Sequence, residues 1–374
     1  MQEILDKFRR PELGKQVLAE LIPKLNQAGD KLGRKINLME VCGTHTVSIS
    51  HTGIRDLLSG HVNLKSGPGC PVCVTDHSDI DAMLDLARRD KVTIATFGDM
   101  MRVPGRGGSL AEQKAEGADI RMVYSTLDAV QIAVDNPDRD VVFLGIGFET
   151  TTPTVAAALQ AAEKRKVGNF YLFSVHKVVP PALHVLLSDP EVKIDGFILP
   201  GHVSVILGRK AWDFVAREYN CPASVVGFEA VDILLGINDL ADQVLSGQAQ
   251  VSNMYSRVVK EDGNPEARRL VERYFAPGDA AWRGMGIIPG SGMFVRDEFK
   301  SFRVEEKYPL SVADSRPPKG CACGEVLKGK IWPQDCPLFA ASCTPVSPVG
   351  PCMVSSEGAC SAYYRYHRDL KKEV

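Results

Sequence analysis

From about residue 35 to 230 the chain alternates short runs rich in Val, Ile and Phe with stretches in which apolar residues recur every three or four positions. The short runs cover 35–41, 91–97, 119–124, 141–146, 169–175, 194–199 and 223–228. They lack strict in–out alternation, which is the pattern of strands covered on both faces. Between them, 78–89 places Ile80, Met83, Leu84 and Ala87 at helical spacing, and 153–166 and 203–219 follow the same period. Repeated strand–helix alternation predicts an α/β fold with doubly wound parallel sheets. Two Rossmann-like sheet domains are expected, dividing near residue 118 after a Gly-rich loop and a short helix. The resulting organisation is a helical segment over 1–34, α/β domains over 35–118 and 119–232, and a helical and loop region over 233–374. Within the last, 231–244 and 266–274 read as helices, and the glycines and prolines of 284–292 read as loops. Beyond residue 315 Pro, Gly and Cys dominate and periodicity disappears.

Composition narrows the class without changing the fold. The 374 residues are 44% hydrophobic and 24% charged, which excludes disorder, collagen and coiled coil as whole-chain descriptions. Charges nearly cancel, at 44 Lys+Arg against 46 Asp+Glu, and no dense basic stripe marks a nucleic-acid surface. No apolar run approaches the roughly 20 residues of a membrane span. The first residues, MQEILDKFRRPELG, lack the apolar core of an export signal, so the expected location is the cytoplasm. There, ten cysteines read as metal-binding or redox-active before they read as structural disulfides. Six of them fall after residue 320, which points to a tail organised by a metal centre.

The reactive residues sit where an open α/β sheet binds ligands, beyond the carboxyl ends of strands. Cys42-Gly-Thr-His45 follows the first strand. Gly67-Pro-Gly-Cys-Pro-Val-Cys73 follows the short run 61–65 and precedes the helix that starts at Ser78. Gly147-Phe-Glu149-Thr-Thr151 follows 141–146, His176 follows 169–175, and Gly201-His202 follows 194–199. Cys42 at a helix start, with Thr44 as candidate N-cap, suits a stabilised thiolate, and His45 suits a proton partner or second ligand. The plainer reading of Cys42 is a buried structural cysteine. Cys70 and Cys73 read as a redox dithiol or as half of a zinc site. Glu149 reads as a helix cap or a polar site residue, and His176 and His202 as structural or site histidines. Gly145-x-Gly147-x-x-Thr150 lacks the third glycine of a dinucleotide fingerprint, and no P-loop is present. Val103-Pro-Gly-Arg-Gly-Gly108, with Arg102 and Arg106, forms either an anion nest or a plain turn.

In the tail, Cys323, Cys336, Cys343 and Cys360 are separated by 12, 6 and 16 residues. Four thiolates from loops suit an iron–sulfur cluster or tetrahedral zinc, and the Cys336-Pro337 step favours [4Fe-4S]. Cys321 and Cys352 are then spare, or one of them replaces a ligand.

These motifs, with Pro200-Gly-His-Val-Ser204 and the tail segments Cys323-Gly-Glu, Cys336-Pro-Leu-Phe and Ser355-Ser-Glu-Gly-Ala-Cys360, resemble the HypD family of [NiFe]-hydrogenase maturation factors, in the same order over essentially the whole chain. The resemblance implies two Rossmann-like domains, a [4Fe-4S] domain including the tail, and a metallocofactor-assembly scaffold with redox activity. On it the Fe(CN)2CO group of the hydrogenase would be built in complex with the chaperone HypC, with cyanide delivered by HypE from a thiol charged by HypF. Carried over, Cys42 binds that iron with His45 beside it, Cys70 and Cys73 form the redox pair, and Cys323, Cys336, Cys343 and Cys360 hold the cluster. Electrons would pass from cluster to dithiol to the iron site. Two other functions use the same residues: an iron–sulfur-dependent thiol–disulfide oxidoreductase acting on a protein substrate, and a binding module with a structural zinc tail.

Overall fold

A computed structural model describes residues 11–310 and 315–367; residues 1–10 of the expected N-terminal segment, 311–314 and 368–374 lie outside the described residues. The strands are β1 (Ile36–Glu40), β2 (Val62–Ser66), β3 (Val92–Thr96), β4 (Asp119–Met122), β5 (Asp140–Gly145) and β6 (Phe170–Ser174). They continue with β7 (His176–Lys177), β8 (Gly196–Pro200), β9 (Ala223–Val226), β10 (Val251–Asn253), β11 (Phe275–Trp282) and β12 (Gly286–Val295). All seven expected strands form, each within a residue or two of its expected ends.

Two wholly parallel sheets result, in the order β10-β9-β8-β1-β2 and β4-β3-β5-β6. The fold is α/β with Rossmann-like parallel sheets. Sheet membership does not follow chain order, however. The first sheet joins β1 and β2 to β8, β9 and β10. A cut near residue 118 passes between β3 and β4, which pair from Thr93–Asp119 to Thr96–Met122. In each sheet the strand order reverses at one point, between β1 and β8 and between β3 and β5, and such reversals open a crevice at the carboxyl ends.

Strand burial explains why these runs form strands rather than helices: every side chain of β1, β3, β6, β8 and β9 is buried. The helix Pro11–Leu32 packs along the helix Ala230–Ser246, with Leu21, Leu25, Ile237 and Leu240 fully buried between them and the first sheet. Each such leucine contributes roughly 1.5–3 kcal/mol. Asp232, on the second of these helices, is fully buried and held bidentately by Arg257 at 2.6 and 2.5 Å.

Two expectations change. The helix predicted over 203–219 is broken into Gly201–Leu207, a short 3-10 turn and Asp213–Tyr219. Gly208 adopts φ +91° there because its backbone lies against Glu261 and Gly263, a contact no local periodicity reveals. The predicted loops of 284–292 instead belong to an antiparallel hairpin, β11–β12, whose turn uses Gly284 and Gly286 at φ +73° and +75° and whose far strand pairs with β7. The tail carries three short helices, Cys323–Leu327, Pro351–Val354 and Ala359–Tyr366. Among the described residues no helix is long and apolar enough to cross a membrane.

Candidate functional site

Cys42 stands at the carboxyl end of β1, beside β8, at the N-cap position of the helix Gly43–His51. Its amide donates to Glu40 Oε2 at 3.0 Å, and Glu40 is a buried carboxylate at the end of a strand with no other charged residue. Burial pushes Glu40 up to about 7 despite hydrogen bonds from Thr46, Ser66 and the Cys42 amide. The Cys42 thiol is pushed up to about 12, chiefly by burial; the backbone N–H groups of His45 and Thr44 pull it down, and Glu357 and Glu40 push it further up. The helix start therefore does not make a free thiolate here: desolvation outweighs the N–H groups. Thr44 does not cap the helix, because its hydroxyl donates to Glu357 Oε1 at 2.8 Å.

His45 is fully buried, and its Nε2 meets the Gly227 carbonyl at 2.9 Å. Burial lowers it to about 4, so the ring is neutral at physiological pH. Phe228 stacks on His45 at 4.6 Å between ring centroids and on His202 at 3.9 Å. The fold thus gathers His45 and His202 around one aromatic ring, with His202 exposed and its pKa lowered by burial of the ring face.

The second loop lies directly on the first. Gly69 O accepts from the Gly43 amide at 2.8 Å, and a Cβ on Gly69 would stand 2.1 Å from the Cys42 nitrogen. The next residue, Cys70, is disulfide-bonded to Cys73 across the start of the helix Pro71–Val74; both are buried, at 3% and 0% exposure. The third group follows without a gap. The helix Pro351–Val354 packs on Pro71–Val74, and the helix Ala359–Tyr366 packs on Gly43–His51. Glu357 from the tail returns to Thr44 beside Cys42.

The tail thiols converge. Cys323, Cys336, Cys343 and Cys360 are 5%, 9%, 7% and 8% exposed, and Cys360 lies within electrostatic reach of the other three. The Cys343 sulfur accepts from the Val349 amide at 3.3 Å. Cys352, a spare residue in the spacing argument, has its sulfur 2.8 Å from that of Cys323 and also bonds to Cys360. Cys321 bonds to Cys323 as well, whose thiol is held well below its usual range by its Cys321 and Cys352 neighbours. Among the described residues no three His, Cys, Asp or Glu side chains close on a point that holds a single metal ion.

Glu149 and His176 lie in the other sheet's end. Glu149 is 6% exposed, accepts the Val179 amide at 2.8 Å through Oε1, and leaves Oε2 without a partner. Neither carboxylate oxygen caps the following helix. His176 is buried in β7, with Nδ1 2.9 Å from the Ser174 hydroxyl and its pKa lowered to about 3 by burial. The loop 103–108 is not a vacant nest, because the Arg106 amide donates to Asp81 Oδ1 at 2.6 Å and Gly105 pairs with Gly108.

Burial raises Glu149 from its ordinary 4.5 to about 7. The folded state then holds that proton more tightly than the unfolded chain. The stabilisation is complete below about 4.5 and lost as pH rises through about 7. Glu149→Gln is expected to unfold with less pH dependence: its stability relative to wild type rises between pH 4.5 and 7.5, by on the order of 3 kcal/mol at most. Denaturant midpoints of both proteins at pH 5 and pH 8 check this, and an unchanged difference refutes it.

Sequence reading missed Glu40, Glu357, Phe228 and Arg283 as site residues. Glu40 carried a signal, being the lone charged residue of its strand; the others act across 183 to 313 residues of chain, from Phe228 on His45 to Glu357 on Thr44.

The family model HypD, described as "Hydrogenase formation hypA family", matches residues 16–367. The hydrogenase maturation factor HypD of Rhodobacter capsulatus is 43% identical over 365 residues, 96% of this chain and 97% of that protein. The Escherichia coli K12 protein of the same name is 43% identical over 368 residues, covering 97% and 98%. A putative hydrogenase expression/formation protein of Methanocaldococcus jannaschii is 42% identical over 352 residues, covering 94% and 98%. A match of that extent, on a chain whose motif cysteines meet at the strand ends as described, means that this protein belongs to the HypD family of hydrogenase maturation factors.

Proposed function

We propose that this maturation factor is the scaffold on which the Fe(CN)2CO moiety of the [NiFe]-hydrogenase active site is assembled in the cytoplasm, together with a HypC-type chaperone and with cyanide delivered by HypE. The single observation that supports it best is the unbroken adjacency of three cysteine groups: Cys42 at the strand-end crevice, Cys70–Cys73 on the loop packed against it, and the tail thiols packed on that loop.

Cys42 supplies a thiol to the iron being built, and a soft thiolate suits iron carrying strong-field ligands. His45, neutral and tied to Gly227, positions the helix start rather than carrying a charge. Cys70–Cys73 takes up two electrons and two protons when its disulfide becomes a dithiol, and Gly69 fixes that pair next to Cys42. Glu40 and Glu357 bracket Cys42 with carboxylates able to hold or accept a proton. Cys323, Cys336, Cys343 and Cys360 fit a [4Fe-4S] cluster by the chemistry of the donor set: four buried, soft sulfurs, three of them within electrostatic reach of Cys360. Bound there, the cluster would supply one-electron redox chemistry to this end of the molecule. The burial of Cys70 and Cys73 weighs against a thiol–disulfide oxidoreductase working on a protein substrate, whose own disulfide would have to reach them.

Iron, acid-labile sulfide and zinc per chain, measured on anaerobically purified protein, test the reading. About four iron and four sulfide are expected. Zinc near one without sulfide would reduce the tail to a structural knot and remove its redox role.

A further inference from the structure

Arg283 is 3% exposed, yet among the described residues no carboxylate forms an ion pair with it. Its backbone amide donates to Val74 O at 2.9 Å, its Nε to Thr75 O at 2.9 Å, and its Nη1 to His77 Nδ1 at 2.5 Å. A guanidinium only donates, so His77 accepts on Nδ1 and keeps its own proton on Nε2. Nη2 remains buried without a partner. Asp76, which feels the guanidinium charge, is turned instead to the Ser78 amide and hydroxyl at 3.0 and 2.8 Å. Asp81, on the same cavity of about 390 Å³, is taken by the Arg106 amide and the Ser315 hydroxyl.

A buried cation without a counter-ion is costly, and proteins pair such charges. The turn that carries Arg283 abuts the tail. A Cβ on Gly284 would stand 2.2 Å from Gly324 Cα, at the helix that begins with Cys323. Val349 lines the cavity with Arg283, and the adjoining Gly350 lies against the sulfurs of Cys321 and Cys323. The guanidinium charge reaches Cys323.

We infer that Arg283 is the counter-ion of the anionic centre held by the tail cysteines, and that it thereby raises that centre's reduction potential. The inference rests on the reading of the tail as a [4Fe-4S] site. Reduction adds one negative charge to such a centre, so a fixed cation beside it favours the reduced state, and cluster potentials respond to local charge and to hydrogen bonds at sulfur. Arg283 also anchors the segment after Cys73 through Val74 and Thr75. The same side chain therefore ties the disulfide loop to the tail centre.

The test is an EPR-monitored redox titration of wild type, Arg283→Lys and Arg283→Gln, each purified anaerobically with iron and sulfide counted. Arg283→Gln is expected to shift the one-electron equilibrium at least tenfold toward the oxidised form, a fall of 59 mV or more, and Arg283→Lys to shift it much less. Arg283→Gln with full iron content and an unchanged potential overturns the inference. Absence of iron and sulfide from wild type defeats the cluster reading instead, and is seen before any variant is compared. If Arg283→Gln does not fold, pulsed EPR on the reduced wild-type protein labelled with 15N-arginine decides: a guanidinium 15N coupling to the cluster supports the pairing, and none overturns it.

Discussion

A chain with alanine in place of Cys42 is expected to fold, to keep the iron and sulfide proposed for its tail, and to retain none of the CN and CO infrared bands of the proposed Fe(CN)2CO unit. The backbone of residue 42 carries its structural duties: the amide donates to Glu40 Oε2, and the carbonyl accepts from the Thr46 amide at 3.1 Å. Alanine keeps both. What it removes is the sulfur, which makes no capping hydrogen bond to the helix start, so the loss is that of one small, partly buried side chain. The unfolding midpoint should move little while hydrogenase maturation falls to nothing. Serine should fail equally, because a hard hydroxyl replaces a soft thiolate at similar size. Infrared spectra of the HypC-bound variant decide the matter. Bands at wild-type intensity in the alanine protein would mean that Cys42 is not the anchor, and the crevice between β1 and β8 would lose its assigned chemistry.

How far the chain could be read in advance depends on the range of the forces involved. The parallel strands were legible because strands buried on both faces leave near-continuous apolar runs, and the reactive residues were legible because each follows such a run. Sheet membership was not: β1 finds its partner β8 about 160 residues away, and no local pattern distinguishes that from pairing with β3. The break at Gly208 depends on Gly263, and the β11–β12 hairpin depends on β7 accepting its far strand, although its Gly and Pro content reads as loop. Arg283 looks like an ordinary surface arginine in sequence; only the fold brings it to Val74, Thr75 and His77. Cysteines are rare enough to announce themselves, so the cysteine groups were found, while the residues that set their charge were not. The contact of Cys352 with Cys323 and Cys360 likewise depends on the close packing of Gly358 on the Cys352 backbone.

Gly69→Ala is expected to be the most destabilising single-methyl change in the site. The added Cβ would stand 2.1 Å from the Cys42 nitrogen and 2.4 Å from both Cys42 Cα and Val41 C, all of them backbone atoms at the end of a buried strand. No side-chain rotamer relieves such a clash, so the loop must move away from β1 and the Gly43–Gly69 hydrogen bond must stretch or break. Overpacking of a rigid region typically costs 1–3 kcal/mol, and a backbone-on-backbone clash belongs at or above the upper end, about 3 kcal/mol or more. Gly43→Ala offers a graded comparison. Its Cβ would meet Glu357 at 2.5 Å on that residue's Cβ and 2.9 Å on its carboxylate, a partner whose side chain can swing aside in part. It should cost less than Gly69→Ala while loosening the tail from Thr44. Gly60→Ala, with nothing within 4 Å, is the control and should stay within about 0.5 kcal/mol of wild type. Denaturant unfolding of the three variants gives the order directly. If Gly69→Ala unfolded at the wild-type midpoint, the two loops would not be in rigid contact, and the disulfide could not be held beside Cys42 by that glycine. On the proposed scaffold reading, the variant that separates these loops should lose maturation activity even at temperatures where it remains folded, because the disulfide would serve an iron at Cys42 only while the backbone keeps it there.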